Sequence, residues 1–302
     1  MPRFEKWLIG VAPTAPVDQV ARRALTARLR AVSHYLDTAL SGPDEADGVH
    51  QLRVWTRRSE AALQLFRRAI PHPERQRMRR LLRKLRRKAG ALRDCDVHFE
   101  RLKSQDEQPP QRVFKSLKDQ RRLARRKLQK LRRKLRHDER LQTQAEKLLA
   151  GIAWPKRHSS RAAPGFGPWC RQELTPLAAR FFELAESNLA DNETLHALRI
   201  AGKRLRYALE LSVAALRPRA GRQLYDKLSA LQDRLGEVCD DLAASEHVRA
   251  WLKEAKKSQG TGKLRTLLAG AEQRLITARS KFLRWWSAAR RARLQRRWNA
   301  AM

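Results

Sequence analysis

The fold is decided by HQLRVWTRR at residues 50–58, because a related stretch, HALRIAGKR, returns at residues 196–204. The two stretches are offset by 146 residues. The same offset relates AGALRD at residues 89–94 to LGEVCD at residues 235–240. One offset shared by two separated motifs indicates a tandem duplication of one structural unit.

Helical periodicity dominates the rest of the sequence, and no stretch shows the alternation of a β-strand. We therefore predict an all-α fold in which each repeat contributes four helices. Predicted breaks lie at Ser41-Gly42-Pro43, Pro71-His72-Pro73, Pro109-Pro110, Asp191-Asn192, Pro218 and Gly260-Thr261-Gly262. The first helix is predicted to start near Val17, the fourth to span residues 111–149, and the last four to span 169–190, 192–217, 219–257 and 262–298.

The stretch at residues 151–168 differs from its surroundings because it contains three Gly and three Pro. This composition predicts a linker. Residues 1–150 would then form the first four-helix half and residues 169–302 the second. The expected architecture is two four-helix bundles related by pseudo-two-fold symmetry.

The charge of the chain is strongly unbalanced, with 67 Lys and Arg against 31 Asp and Glu and a formal net charge of +36. A compact fold with this charge repels itself, so a polyanionic partner would stabilise it. The hydrophobic fraction of 42% argues against a disordered chain and predicts a core of useful size.

The three cysteines, Cys95, Cys170 and Cys239, show no CxxC or Cys/His ligand spacing. This pattern indicates inert thiols in a reducing compartment and predicts neither a metal site nor a cofactor. No stretch approaches the ~18 apolar residues of a membrane span. The apolar stretch at residues 7–12 is short for a signal sequence, so we expect an N-terminal arm of a cytoplasmic protein.

Each repeat is predicted to present a cationic stripe on one helix face. In the first repeat, His50, Arg53 and Arg57 fall within roughly 60° of arc. The matching face of the second repeat ends in a tyrosine and consists of His196, Arg199, Lys203 and Tyr207. Because guanidinium forks and ammonium groups are the usual partners of phosphate, the stripes predict a phosphate-rich ligand.

The third helix extends the first stripe, since one of its faces contains Arg79, Arg83, Arg86, Gly90 and Arg93. A Gly inside a helix costs about 1 kcal/mol relative to Ala. Glycines at the matched positions 90 and 236 therefore suggest close approach of a helix or a ligand. The matched Asp94 and Asp240 are predicted to pair with an arginine and order it, rather than to act in catalysis.

Four motifs resemble the signatures of the CHAD family, the conserved histidine α-helical domain. They are HxxRVxxRR at residues 50–58, LRDCDV at 92–97, HxxRIxxKRLRY at 196–207 and LQDRLG at 231–236. The resemblance covers nearly the whole chain. It implies two four-helix bundles around a basic central groove or pore that binds inorganic polyphosphate. No ExExK-like strand of a fused CYTH triphosphatase is present, so the chain resembles the stand-alone form.

Together, the stripes and the resemblance predict a polyphosphate-binding set. Its members are His50, Arg53, Arg57, Arg58, Arg79, Arg83, Arg86, Arg93, His196, Arg199, Lys203, Arg204, Arg206 and Tyr207. Three positions depart from the family pattern: Glu60 stands where the second repeat has Arg206, Trp55 is unusually large, and Cys239 replaces a polar residue. The expected location is cytoplasmic, in association with polyphosphate granules.

Two other functions compete with polyphosphate binding. Non-specific RNA or DNA binding is expected at low salt. However, the stripes are poor in stacking aromatics, and no zinc-finger, RNP or KH signature is present. Hydrolysis of phosphoanhydrides lacks support, because the sequence has no HD-type metal cluster, P-loop or paired carboxylates on one face. We therefore predict that the protein is not an enzyme.

Two further basic segments admit two interpretations each. The outer side of the helix at residues 111–140, with Arg122, Arg126 and Arg133, is either a solvated face or a second polyanion track. The stretch FLRWW at residues 282–286 precedes five arginines. It either lies on an anionic membrane or contributes Phe282, Trp286 and Ala289 to the core, which we favour.

Overall fold

The computed structural model describes residues 4–41, 45–103, 110–154, 162–255 and 261–302. These ranges contain helices and no strand, and one isolated antiparallel bridge joins Pro16 to Gly165. The predicted all-α fold is confirmed. The predicted break residues Gly42, Pro43, Pro109 and Gly260, and residues 155–161 of the predicted linker, lie outside the described ranges.

Ten α-helices and one short 3-10 helix occur in these ranges. The α-helices are α1 Val17–Thr38, α2 Glu45–Leu65, α3 His72–Lys103, α4 Gln111–His137, α5 Arg140–Ala150, α6 Phe166–Glu186, α7 Asn192–Ser212, α8 Pro218–Ala255, α9 Thr261–Trp285 and α10 Ala288–Ala301. The 3-10 helix, Val213–Ala215, follows α7 directly. The two related stretches lie within helices, HQLRVWTRR in α2 and HALRIAGKR in α7, as predicted.

The predicted helix at residues 111–149 is wrong in one respect, because it is two helices, α4 and α5. Glu139 lies between them in the left-handed backbone region, with a φ of 43°. A residue in this region cannot continue a right-handed helix. Neither Gly nor Pro occurs at this break, so the sequence contains no strong signal for it.

The predicted helix at residues 262–298 is also two helices, α9 and α10. Ser287 has an extended backbone, with φ −68° and ψ 160°, and its hydroxyl accepts a hydrogen bond from the Arg290 amide. Serine is a preferred residue at this N-cap position. The prediction that Ala289 belongs to the core is wrong, because Ala289 is exposed on the first turn of α10.

The sixth helix begins at Phe166, inside the stretch predicted as a linker. The segment that precedes α1 meets the segment that precedes α6. The Val17 amide donates to the Pro164 carbonyl at 3.1 Å, and the Phe166 amide donates to the Ala15 carbonyl at 2.9 Å. The N-terminal arm is not helical. Its Lys6 carbonyl accepts a hydrogen bond of 2.8 Å from the buried Arg28 of α1.

The chain forms two compact units. Unit 1 contains Met1–Asp96, Asp119–Glu173 and Tyr207–Leu216, and unit 2 contains Val97–Lys118, Leu174–Arg206 and Arg217–Met302. Each unit takes segments from both sequence halves, so the units and the halves are different divisions of the chain. The division into two symmetry-related four-helix bundles stays a prediction.

The core of unit 1 is formed where α1 packs on α2 and α5. Phe66 is fully buried, and its ring stacks on Trp169 with 5.4 Å between centroids and 3° between the planes. Leu52 and Trp55 of α2 are buried, at 0% and 3% exposure. The face of α2 opposite to these residues is therefore the one that remains near solvent.

The core of unit 2 is formed where α8 packs on α9 and α10. Phe282 and Trp286 are buried, at 1% and 3% exposure, which confirms that they belong to the core. Trp298 of α10 contacts Phe182 of α6 edge-on. No helix in the described ranges is long and apolar enough to cross a membrane.

Candidate functional site

The centre of the first stripe is an ion pair between α2 and α3 in unit 1. The Arg53 guanidinium donates to the Asp94 carboxylate at 3.0 Å, with Arg53 20% and Asp94 58% exposed. A Cβ added at Gly90 would lie 3.9 Å from the Arg53 guanidinium carbon. Gly90, which is buried, thus lets the Arg53 guanidinium lie close to the backbone of α3. The predicted Asp94 pairing is confirmed.

The centre of the second stripe is the same arrangement in unit 2, between α7 and α8. The Arg199 guanidinium lies 3.6 Å from the Asp240 carboxylate, with Arg199 22% and Asp240 55% exposed. A Cβ added at Gly236 would lie 4.0 Å from the guanidinium of Arg199. The offset of 146 residues therefore relates contacts as well as residue types. The predicted pairing of Asp240 is confirmed.

Arg53 and Arg199 share a further property. The Nε atom of each is buried and has no hydrogen-bond partner among the described residues. A buried donor without a partner costs free energy, so each arginine has unused hydrogen-bonding capacity. Burial lowers the pKa of Arg53, and the charge of Asp94 opposes this shift.

His50 lies at the N-terminal end of the first stripe and is exposed. Loss of hydration is the largest cause that lowers its pKa, followed by the positive charge of Arg93. Asp47 opposes the shift, while Arg53 and Arg57 add to it. The positive field of the stripe therefore favours neutral His50 in the free protein. An anion bound here would favour the protonated form.

The far end of the first stripe contains an acidic residue. Glu60 of α2 accepts a hydrogen bond from Arg86 of α3, and its carboxylate lies 3.6 Å from the Arg83 side chain. Both arginines are members of the predicted binding set. Burial, then the positive charges of Arg57 and Arg53, lower the pKa of Arg86.

Arg58 is a correction to the predicted set. Its guanidinium donates two hydrogen bonds to Glu210, at 2.8 and 3.2 Å, and lies 4.7 Å from the centroid of the Trp55 ring. Glu210 is fully buried and also pairs with Arg28 at 3.4 Å. Arg58 therefore stabilises the core of unit 1, and we leave it out of the candidate site.

Tyr207 is a second correction, because it is buried at 6% exposure and does not extend the surface of the second stripe. The other predicted residues on α7 remain accessible: His196 and Arg204 are exposed, and Lys203 is half-buried. Arg206 donates to the Tyr225 hydroxyl at 2.9 Å, within unit 2. On the first stripe, Arg57, Arg79 and Arg93 are half-buried.

Arg101 is a residue that sequence analysis missed. It lies near the end of α3, in the part that belongs to unit 2. Its guanidinium donates to the Asp240 carbonyl at 2.6 Å and pairs with Asp241 at 3.0 Å. Arg101 thereby holds the segment of α8 that presents Asp240. The contact joins residues 139 positions apart in the chain, so no local pattern indicates it.

The outer face of α4 is also cationic, but its contacts differ from those of the stripes. On one flank, Arg121 and Arg125 pair with Glu45, at 3.2 and 2.9 Å. The outer face is exposed, and no ion pair with another described residue is found for Arg126, Lys127, Lys130, Arg133 and Lys134. The opposite face of this helix is apolar and buried, and it includes Leu128.

The three cysteines are free thiols. Cys95 and Cys170 are buried, Cys239 is half-buried, and none forms a disulfide. Burial raises the pKa of Cys170 to about 12 and so favours the unreactive thiol. The ranges that the structure describes contain no group of three or more His, Cys, Asp or Glu side chains placed to hold a metal ion.

The fold and the two stripes define an all-helical protein with paired, carboxylate-held arginines on its surface. The sequence matches the CHAD domain over residues 23–249, and the chain belongs to the CHAD domain family. No curated protein matches the sequence.

Two solved structures have the same fold. The CHAD domain from the plant Ricinus communis has a TM-score of 0.69 and 20% sequence identity, covering 93% of this chain and 96% of that one. PptA from Streptomyces chartreusis has a TM-score of 0.65 and 17% identity, covering 90% of this chain and 99% of that one. At these identities the similarity shows the fold alone.

Proposed function

We propose that this protein binds inorganic polyphosphate through the two cationic stripes. The observation that carries the proposal is the repeated arrangement of an arginine, an aspartate and a glycine, Arg53–Asp94–Gly90 and Arg199–Asp240–Gly236. Each guanidinium lies between a carboxylate, at 3.0 or 3.6 Å, and a glycine of the neighbouring helix. Such a preorganised donor loses little conformational entropy when an anion binds.

The charge balance of the stripes supports an anionic ligand over an internal role. Asp94 and Asp240 are more than half exposed, so the attraction to their arginines is weakened by solvent. A phosphate chain brings several charges to the same place and forms charge-assisted hydrogen bonds to guanidinium forks. Within each stripe, the accessible members of the predicted set, without Arg58 and Tyr207, would then contact the phosphates bound at that stripe.

The surroundings of the stripes favour a ligand made only of phosphates over nucleic acid. Single-strand binders stack bases on aromatic side chains. Tyr207 and Trp55, the aromatics nearest in sequence to the stripe residues, are 6% and 3% exposed and so offer no stacking platform. The side chains that could attract an anionic ligand on these faces are therefore the cations. Non-specific binding of RNA or DNA at low salt is still expected from the net charge.

We further propose that the protein binds polyphosphate without hydrolysing it, and that it does so in the cytoplasm at polyphosphate granules. The stripe arginines stabilise a bound anion, but hydrolysis also needs an activated nucleophile. In each stripe the Asp carboxylate faces an arginine, and no other described acid lies beside it in these contacts to act as a second catalytic carboxylate.

Competition binding tests the proposal directly. Long-chain polyphosphate, RNA and single-stranded DNA of equal total charge are compared at physiological salt. We expect polyphosphate to bind most tightly. Equal affinities for the three polymers would contradict specific binding of polyphosphate. The slope of log affinity against log salt counts the ions released on binding and should be steep, because several cations contact the ligand.

A further inference from the structure

Glu60 is the residue of the first stripe whose chemistry opposes the proposed function. It lies on α2 one turn after Arg57, and it contacts Arg83 and Arg86 of α3. Its side chain is only 17% exposed, and its Oε1 atom is buried without a hydrogen-bond partner. A carboxylate in this setting is strongly attracted to the surrounding guanidinium groups, because little water separates them.

The second repeat lacks this arrangement. The 146-residue offset relates Glu60 to Arg206, Arg83 to Ser229 and Arg86 to Gln232. Arg206 donates to the Tyr225 hydroxyl, and the buried amide of Gln232 has no hydrogen-bond partner among the described residues. The carboxylate and its two arginines therefore belong to the first repeat and are not a requirement of the repeated fold.

The number of cations in the first stripe explains why a carboxylate is useful there. The cationic faces of α2 and α3 adjoin, because Arg53 of α2 pairs with Asp94 of α3 and Glu60 of α2 contacts Arg83 and Arg86 of α3. Without a counter-charge these groups repel one another in the ligand-free protein. Small anions from solution would otherwise collect at such a cluster.

We propose that Glu60 is an intramolecular counter-anion, which holds Arg83 and Arg86 in the free protein and competes with the polyanion for them. The inference rests on the proposed function of the first stripe. Glu60 thus sets a threshold for binding. A small anion must displace it with few charges of its own, whereas a polymer also gains contacts with other cations of the stripe. The expected effect is lower affinity for every anion and better discrimination against small ones.

The experiment compares the intact chain with E60Q and with a matched control, E74Q. Both changes remove one negative charge from unit 1. Glu74, however, pairs with Arg77 one turn away on the same helix and does not contact the predicted binding set. Affinity is measured by titration with tripolyphosphate, long-chain polyphosphate and dextran sulfate over a series of salt concentrations.

We expect E60Q to bind tripolyphosphate roughly fivefold more tightly, the upper range for a partly exposed ion pair. The gain for long-chain polyphosphate should be smaller. The slope of log affinity against log salt should become steeper, because solution anions replace Glu60 at Arg83 and Arg86 and are released by the ligand. A merely structural role of Glu60 would not change this slope.

The outcomes separate the two proposals. If E60Q and E74Q have the same affinities and salt slopes, Glu60 is not a counter-anion, whatever the ligand. If the intact chain prefers dextran sulfate to polyphosphate at equal charge, the proposed function is wrong. Glu60 is then still tested, by E60Q against E74Q with dextran sulfate as the probe. Loss of affinity in E60Q, with native helical content by circular dichroism, would also overturn the inference.

Discussion

The cationic stripes and the outer face of α4 contain similar charges but hold them differently. Arg53 and Arg199 each lie against an aspartate and beside a glycine, and about a fifth of each side chain is exposed. Arg126 and Arg133 of α4 are exposed, with no ion pair to another residue in the described ranges. The difference teaches that charge alone does not define a binding site. What distinguishes the stripes is that their guanidinium groups are fixed before a ligand arrives.

Removing two arginines from each region tests most directly whether the stripes bind the ligand more strongly than the outer face of α4 does. The double variant Arg53→Ala with Arg199→Ala loses two sets of charge-assisted hydrogen bonds, each worth about 1.5–3 kcal/mol. We expect its affinity for long-chain polyphosphate to fall roughly a hundredfold or more.

The matched control is Arg126→Ala with Arg133→Ala, which removes the same charge from the outer face of α4. Its affinity should fall only a few-fold through the loss of long-range attraction. Isothermal titration calorimetry at physiological salt measures both variants. Equal losses would show that net charge, and not the geometry of the stripes, determines binding.

The second prediction concerns Arg58, which belongs to the repeated motif but lies in the core. Arg58→Ala leaves the buried Glu210 with Arg28 as its remaining guanidinium partner. Breaking a buried ion pair costs about 3–5 kcal/mol, so we expect a large fall in the free energy of unfolding, measured with urea. Affinity for polyphosphate should change little under folding conditions.

A double variant sharpens this test. Arg58→Met with Glu210→Met removes the Arg58–Glu210 pair and leaves Arg28 with its hydrogen bond to the Lys6 carbonyl. The loss of stability should still be smaller than the sum of the two single changes, because they remove the same interaction. The interpretation of Arg58 as a core residue is wrong if Arg58→Ala keeps its stability and loses affinity instead.

The third prediction concerns Gly90 and Gly236, which lie next to the guanidinium groups of Arg53 and Arg199. Gly90→Ala and Gly236→Ala should each stabilise their helix by about 1 kcal/mol. The added Cβ would contact Arg53 or Arg199 at an ordinary distance of 3.9 or 4.0 Å, so the fold tolerates it. Because the methyl group covers part of the guanidinium, affinity for polyphosphate should fall a few-fold.

Gly270→Ala is the control, since Gly270 lies inside α9 and is not part of a stripe. It should raise the melting temperature without changing affinity. If Gly90→Ala and Gly236→Ala also raise the melting temperature without changing affinity, these glycines have no role in ligand binding.

The smallest expected effect is the pH dependence that comes from His50. Its pKa is lowered in the ligand-free fold, so the unfolded chain takes up the proton first as the pH falls below 6.5. The free protein therefore loses stability in that range. A bound polyanion raises this pKa again, so affinity should increase as the pH falls.

Titrations of the intact chain and of His50→Gln over this pH range measure the effect, which should be less than tenfold. The difference between the two profiles isolates His50 from the other groups that titrate. Identical profiles would mean that no bound phosphate lies near the imidazole.

Much of the fold could be predicted from the sequence because helices follow from local patterns. Leu52 and Trp55 of α2 are buried, on the face opposite to the predicted cationic stripe. The breaks at Glu139 and Ser287 could not be located in the same way. Neither has a Gly or Pro beside it.

The candidate site was predictable in part, for a related reason. The offset identified Arg53 and Arg199, together with their partners Asp94 and Asp240, and the structure repeats the two Arg–Asp contacts at the same offset. Periodicity assigns a residue to a helix face, but it does not reveal what covers that face. Arg58 and Tyr207 share the repeated motifs and are nevertheless withdrawn from the surface by packing within unit 1.

The sequence by itself determined the helical class, the two repeats, the cationic faces and membership of the family, since all of these are local or periodic properties of the chain. Only the tertiary structure decided which cations are available to a ligand. Glu60 engages Arg83 and Arg86, Glu210 engages Arg58, and Arg101 holds Asp240. These are contacts between residues distant in the chain. Their strength depends on burial and on separations of a few ångströms, which residue order alone does not specify.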